Sequence, residues 1–416
     1  MVHDYGNSDK RVFRGTHRVR PPAETIAWVQ PHFPTFGITR VSNVTGLDVI
    51  GIPVVMVARP NSRGLAVSQG KGLSLDHAKA SGIMESIEGW HSEHIRLPLW
   101  RASATEIERS NRVIQHQGLP RSYGGTLDPG LQLLWIEGTD LVSGDSVWVP
   151  EEVVGVDCSL PMPPSAGCFS MTSNGLASGN HPLEAISHGL CEVIERDSKT
   201  LFDLVPKELG ATRRINLESV TDPDCRELLE QCHEAGVFVA MWDITSDIGL
   251  PTLTCEIFDR VANPWRPLPI SSGHGCHLNP KVAFIRALTE AAQSRLTYIA
   301  GARDDNLYSE YAEAESAESV SQRRRLMKET ASRDFGELSD LSTDSLEDDV
   351  AVIIAMLVAC GLDEIVAIDL SQEEFGIPVF RVVVPGLEHR GPGGTWYQPN
   401  LRAQEFVARL HKVNSL

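Results

Sequence analysis

Three stretches of this chain read as helices that carry apolar and charged residues on opposite faces. Any fold must bury one face of each without stranding the other. In SGIMESIEGWHSEH, about 100° per residue puts Ala80, Ile83, Ile87 and Trp90 on one stripe. Glu85 and Glu88 then lie side by side on the opposite face. In NHPLEAISHGLCEVIERDS the stripe is Ile186, Leu190, Val193 and Ile194. Glu184, His188, Glu192 and Glu195 gather on the other side, and Arg196 follows. In NPKVAFIRALTEAAQSRLTYIAG, Arg286, Glu290 and Gln293 share one face, with Phe284, Leu288, Ala292 and Ile299 on the other. Pro182 and Pro280 each suit the first turn of a helix.

Like charges at helical spacing repel by about 0.2–0.5 kcal/mol per pair. Water, arginines or a metal ion must offset that. A solvated surface face is one reading of each stretch taken alone. The other is a metal site: magnesium takes hard oxygen ligands and bridges carboxylates to phosphate oxygens, and nearby arginines bind phosphate in a fork. The glycine-rich strings Ser173–Asn180 and Ser271–Gly275 precede the second and third helices. As loops at helix N-termini their N–H groups would suit anions, although either could be a plain turn. Gly70-Lys71-Gly72 reads as a turn and is not a P-loop, because the spacing fails and Gly72 stands where Ser or Thr is needed.

The remaining chain sets limits. Its 416 residues allow a large core, with 42% hydrophobic and 22% charged residues. A net charge of -18 argues against a general nucleic-acid binder. No apolar run is long enough for a membrane span, and Met1–Arg20 lacks a signal-peptide core, so a cytoplasmic protein is expected. None of the 8 cysteines forms a C-x-x-C pair, and scattered, reduced core thiols are expected. His274, Cys276 and His277 are read as loop residues, and Cys191 and Cys276 as core fillers before sulfur carriers. Val49–Arg59, Val237–Ile244, Leu253–Phe258 and Val379–Val384 read as strands. Val350–Cys360 fits a helix or a strand. The irregular alternation predicts a mixed α/β (α+β) fold rather than a doubly wound sheet.

The strings VTGLDVIGIPVVMVARPNSRGLAVSQGKG…SGIMESIE, SNGLASGN…LEA…GLCEVIER and GHGCHLNP..AFIRALTEAAQSR, in this order, resemble the signature of the YcaO superfamily. The resemblance covers about residues 14 to 390. It implies mixed sheets with helices around a central nucleotide site. The YcaO domain is placed at 41–416, with a surface insertion at 303–349, and residues 1–40 are expected to add to the nucleotide site. It implies ATP and Mg2+ as cofactors, with magnesium at Glu85, Glu88, Glu192 and Glu195. Arg286 is expected near phosphate. Arg18, Thr25, Lys71, Ser178, Asn180, Glu184, Arg196 and Gln293 are expected to contact the nucleotide, the Arg18/Thr25 match being the weaker.

The activity implied is ATP-dependent O-phosphorylation of a peptide backbone amide. A nucleophile then displaces phosphate. A substrate Cys, Ser or Thr side chain would give an azoline, and external sulfide a thioamide. The chain ends VARLHKVNSL without the P-x-P-x-P tail of many azoline-forming members, and its motifs begin almost at once, without a fused leader-binding domain. It therefore looks like the stand-alone, thioamide-forming branch that works with a TfuA-like partner. Azoline or amidine formation is the alternative, and a non-catalytic ATP-binding scaffold a third reading. A peptide or protein substrate and a homodimer are expected.

Overall fold

The structure is a computed structural model describing residues 10–413, apart from 123, 163–166, 262–264, 266, 304–307, 314–315 and 391–396. Its centre is a six-stranded antiparallel sheet. Leu99–Ser103, Gln132–Asp140, Val366–Asp369, Val379–Val383 and Leu176–Ser178 follow one another across it, and Ser146–Pro150 pairs with Gln132–Asp140. Alternation along its strands feeds two cores. Val379 and Val383 pack with Ile83, Ile87 and Trp90 from the helix Leu75–Glu93. Phe380 and Val382 pack with Ile186, Leu190, Val193 and Ile194 from the helix Pro182–Asp203. The sheet is thus covered by one glutamate-bearing helix on each face.

Two further units share one plan. Arg40–Asn43, Val54–Ala58 and Val67–Lys71 form an antiparallel meander followed by the helix Leu75–Glu93. Val237–Asp243, Thr252–Asp259 and Ser271–Cys276 form a second meander followed by the helix Pro280–Ala300. In each, the last strand lies against its helix backbone to backbone. A Cβ on Gly70 would stand 2.0 Å from the Ala78 carbonyl oxygen and 2.1 Å from the Gly82 nitrogen. A Cβ on Gly275 would stand 2.1 Å from the Ala283 carbonyl oxygen and 2.8 Å from the Ala287 nitrogen. The contacts fall at the same sequence offsets in both units. Of the two stretches expected to be turns or loops, Gly70 and Lys71 are strand, with Gly72 following the strand end, and all of Ser271–Gly275 is strand. His274 and Cys276 sit within that strand rather than in a loop. Their glycines serve close approach, not chain reversal.

The helix ends follow local chemistry. Ser74 caps the His77 N–H, His181 accepts from Leu183, and Asn279 accepts from Lys281 ahead of Pro280. Gly301, at φ 56°, closes the third helix in the left-handed region. The strand expected at Val49–Arg59 shortens to Val54–Ala58, since Gly51 takes a positive φ and Pro53 lacks a donor. Leu346–Ala359 is helix. The 303–349 stretch is not wholly superficial. It forms the helix Ala317–Lys328 and sends Leu326 and Phe335 inward. The C-terminal helix Leu401–Val413 is tied down by Arg402, whose guanidinium grips Asp197 and Asp247.

The glycine contacts make a direct prediction. Gly275→Ala must push strand and helix apart and is expected to cost about 2–4 kcal/mol, whereas Gly46→Ala, with nothing within 4 Å of its Cβ, stays within about 0.5 kcal/mol of wild type. Urea unfolding of both variants checks this, and equal midpoints would contradict it.

Candidate functional site

The carboxylates that pattern places on separate helices meet in one cleft. Glu85 and Glu88 come from the helix Leu75–Glu93, Glu192 and Glu195 from Pro182–Asp203, and Glu290 from Pro280–Ala300. Glu85 is open to the cleft, Glu88, Glu192 and Glu290 are half-buried, and Glu195 is buried. Solvent reaches Glu85, yet protein surrounds it closely enough that desolvation governs its titration.

The charges act on one another. Burial pushes Glu85 up to about 7, against the pull of Lys71 and Arg303. Burial raises Glu88 to about 8, with Glu85 and Glu192 adding to the rise. Glu195 rises to about 7 through burial and then the Glu290 charge. Glu192 also rises through burial, opposed by Arg196, Arg381 and Arg286. Glu290 is the exception. Its own burial would raise it, but Lys71, His274 and Arg196 together hold it down at about 2. Glu290 is thus the standing anion of the group, ion-paired with Lys71 and accepting from the His274 N–H at 3.2 Å. The Gln69 N–H serves Glu85 at the same sequence offset.

The flanking residues divide into two sets. Around Glu184, 1% exposed, the Asn180 N–H and side-chain amide donate to one oxygen at 2.8 and 3.1 Å, and the Val19 N–H donates to the other. Thr25 Oγ1 donates to Asn180 Oδ1 at 2.7 Å, and Arg18 Nε stands 3.9 Å from Glu184. Glu184 is therefore a brace between the N-terminal segment and the loop before its own helix. Nearer the cluster, the Ser178 N–H and hydroxyl both donate to Glu88 Oε1 at 2.7 Å. Arg286 Nη2 and His188 Nε2 lie 3.0 Å apart, and Arg286 Nε is buried without a partner. Arg196 is buffered by Glu195, Glu192 and Glu290. Gln293 is half-buried on the same helix as Arg286 and Glu290. Sequence reasoning named Glu290 but gave it no place among the acids. It missed His188 as the partner of Arg286, and it missed Arg381, which is 3% exposed and acts on Glu192. Arg381 lies in a strand whose pattern is otherwise apolar, and that interruption was the available signal.

This donor set fits magnesium. It offers only hard oxygens, and several are held as reluctant anions in the absence of a cation, the condition that a divalent ion reverses. Among the described residues no three His, Cys, Asp or Glu side chains already converge as a metal set. Phosphate oxygens would complete the shell.

A family model described as YcaO cyclodehydratase, ATP- and Mg2+-binding, matches residues 69–388. The chain belongs to the YcaO family. A protein encoded in the tfuA 3′ region of Rhizobium leguminosarum bv. trifolii is 36% identical over 397 residues, covering 94% of this chain and 93% of that protein. A protein of Methanothermobacter thermautotrophicus is 36% identical over 376 residues, covering 88% and 94%. Among solved structures, YcaO from Methanopyrus kandleri bound with AMPPCP and Mg2+ superposes at a TM-score of 0.73 and 22% identity, over 94% of this chain and 98% of that one. A heterocyclase in complex with substrate and cofactor superposes at 0.76 and 23% identity. It covers 92% of this chain, which spans only 54% of the heterocyclase. These structures share the fold. Membership makes this YcaO chain one of an ATP- and Mg2+-binding, cyclodehydratase-type family. No helix among the described residues is long and apolar enough to cross a membrane.

The titrations set the stability of the ligand-free YcaO chain against pH. Glu85, Glu88 and Glu195 have folded values raised above the ordinary 4.5, so their contribution is complete below that value and is lost as pH rises through about 7–8. The buried histidines His91 and His389 sit at about 4, below the ordinary 6.5, so stability is instead lost as pH falls from 6.5 towards 4. Metal-free protein is expected to lose about 1–2 kcal/mol between pH 6.5 and 8.5, after discounting for solvent at the cleft. Glu88→Gln should flatten that loss. Thermal unfolding across pH checks it, and a slope unchanged in the variant would contradict it.

Proposed function

We propose that this YcaO chain uses ATP to phosphorylate the oxygen of a backbone amide in a ribosomally made peptide or protein, and that hydrosulfide then converts the amide to a thioamide. The observation that carries this reading is that Glu85, Glu88 and Glu192 act on one another's charge, with Arg196 and Arg286 acting on both Glu192 and Glu195. The relative in a tfuA 3′ region supports a TfuA-like partner and the thioamide product.

In this reading the four glutamates hold magnesium, which neutralises phosphate charge. Arg286 and Arg196 face the phosphates, and Lys71 stands beside them. Ser178 fixes Glu88 through two hydrogen bonds. Glu184, Asn180 and Thr25 hold the N-terminal segment so that Arg18 lines the nucleotide side of the cleft. Gln293, on the helix of Arg286 and Glu290, offers its amide to the nucleotide. The protein's task in such a transfer is positioning and charge stabilisation.

The steps balance. The amide oxygen attacks the terminal phosphorus and ADP leaves. Hydrosulfide adds to the activated carbon, the carbon–oxygen bond breaks, and phosphate departs with the proton from sulfur. The sum is amide, ATP and hydrosulfide giving thioamide, ADP and phosphate. The family's cyclodehydratase description supports a second reading, in which a substrate side chain is the nucleophile and an azoline results.

Mass spectrometry separates the two. Peptide incubated with this chain, a TfuA-like protein, ATP, Mg2+ and sulfide is expected to gain the mass difference between sulfur and oxygen, and to stay unchanged without ATP. Loss of one water in place of that gain would overturn the thioamide reading.

A further inference from the structure

Beside the carboxylate cleft lies a small cavity of about 40 Å3. By volume it admits a few water-sized particles and no nucleotide. Its walls come from three places. Gly15–Arg18 belong to the N-terminal hairpin, Ser187, His188 and Cys191 to the Glu192 helix, and Cys276 and His277 to the end of the second meander. Arg286, Val282, Leu346 and Asp349 complete it.

The charge in these walls is unbalanced. Asp349 is already matched by Lys10 at 2.6 Å, and Glu184 is occupied by its backbone donors. Arg18 in turn faces Glu184 at 3.9 Å, which leaves Arg286 as the cation of these walls without a carboxylate of its own among them. His17, 7% exposed, has Nδ1 buried with no partner, and Arg286 Nε is likewise buried with no partner. His17 and His277 stand edge to face, ring centroids 5.2 Å apart. Burial and the neighbouring cations hold His17, His188 and His277 below the ordinary imidazole range, so each carries a neutral ring with one N–H to give. Arg286 Nε can only donate, and a buried donor without an acceptor is costly; His17 Nδ1 gives or takes a hydrogen bond according to its tautomer.

The remaining walls are soft. The Cys191 and Cys276 thiols are hydrogen-bonded to one another, and Val282 and Leu346 add apolar surface. Such a lining suits a small, polarisable, weakly hydrated anion better than a strongly hydrated one. We infer that this cavity is a binding site for one small soft anion, and that its ligand in the reaction is hydrosulfide, held next to Arg286 and so beside the phosphoryl-transfer site. The choice of hydrosulfide rests on the thioamide reading. The anion site itself does not. The cavity explains how a small nucleophile could wait apart from the nucleotide while sharing an arginine with it.

Bromide tests the site and sulfide tests its use. Crystals of the full chain soaked in sodium bromide are expected to show an anomalous peak in contact with His17 and Arg286. His17→Phe, which fills the space, should abolish the peak. It should raise the KM for sulfide at least tenfold, with the affinity for AMPPNP and Mg2+ changed less than twofold. Leu346→Phe, which narrows the cavity from another wall, should do the same and guards against a folding defect in the first variant. An empty cavity in bromide, or a sulfide KM unmoved by both variants, overturns the inference. Bromide in the cavity with no sulfur gained by the peptide removes the thioamide reading and hydrosulfide with it, while the anion site stands.

Discussion

Desolvation of a crowded set of carboxylates, with their mutual repulsion added to it, is the constraint on which this structure turns. Glu85, Glu88, Glu192, Glu195 and Glu290 approach one another from three helices, in surroundings that disfavour negative charge. The ligand-free protein relieves the repulsion in two ways. Lys71, His274 and Arg196 hold Glu290 as an anion, and burial raises the others, taking Glu85, Glu88 and Glu195 to about 7–8. Neither would be needed in a chain that used these faces only to meet water. The hard oxygens fit a divalent ion, which would draw the raised carboxylates back down.

The framework brings the acids together by repeating one contact. Gly70 and Gly275 each let a strand lie on the helix that follows, and the Gln69 and His274 N–H groups then serve Glu85 and Glu290 from matching positions. The two units are joined across the cleft by Lys71 with Glu290 and by the Thr297 hydroxyl donating to Gln69 Oε1. The Glu192 helix enters from the opposite face of the central sheet. Its far end is fixed by Arg402 on Asp197, directly after Arg196. The site is held by elements spread over nearly the whole described chain.

Much of this was legible in residue order. The helices carrying Glu85, Glu192 and Glu290 have apolar stripes, with Pro182 and Pro280 marking two starts, so their extents could be read directly, while their acids could equally have faced water. The strand Ser271–Cys276 could not, because Ser-Ser-Gly-His-Gly carries turn residues whose small size serves packing across the chain. The 303–349 stretch showed little apolar period, since Leu326, Phe335 and Leu346 turn inward at wide, irregular spacing. Roles within the site were harder than positions. Glu184 and Glu192 lie on one helical face, yet Glu184 is saturated by Val19 and Asn180 while Glu192 stays without such partners. Local pattern does not encode contacts made with residues far away in the chain. The pairing of Lys71 with Glu290 was hidden for the same reason.

We propose that this site binds nucleotide through magnesium held by the glutamates. Isothermal titration with AMPPNP, with and without Mg2+, tests it most directly in wild type, Glu192→Gln and Glu195→Gln, with melting temperature confirming that each variant is folded. Magnesium-dependent binding is expected in wild type, with a loss of at least about a hundredfold, roughly 2.7 kcal/mol, in both variants. Affinity equal to wild type in both folded variants would contradict it.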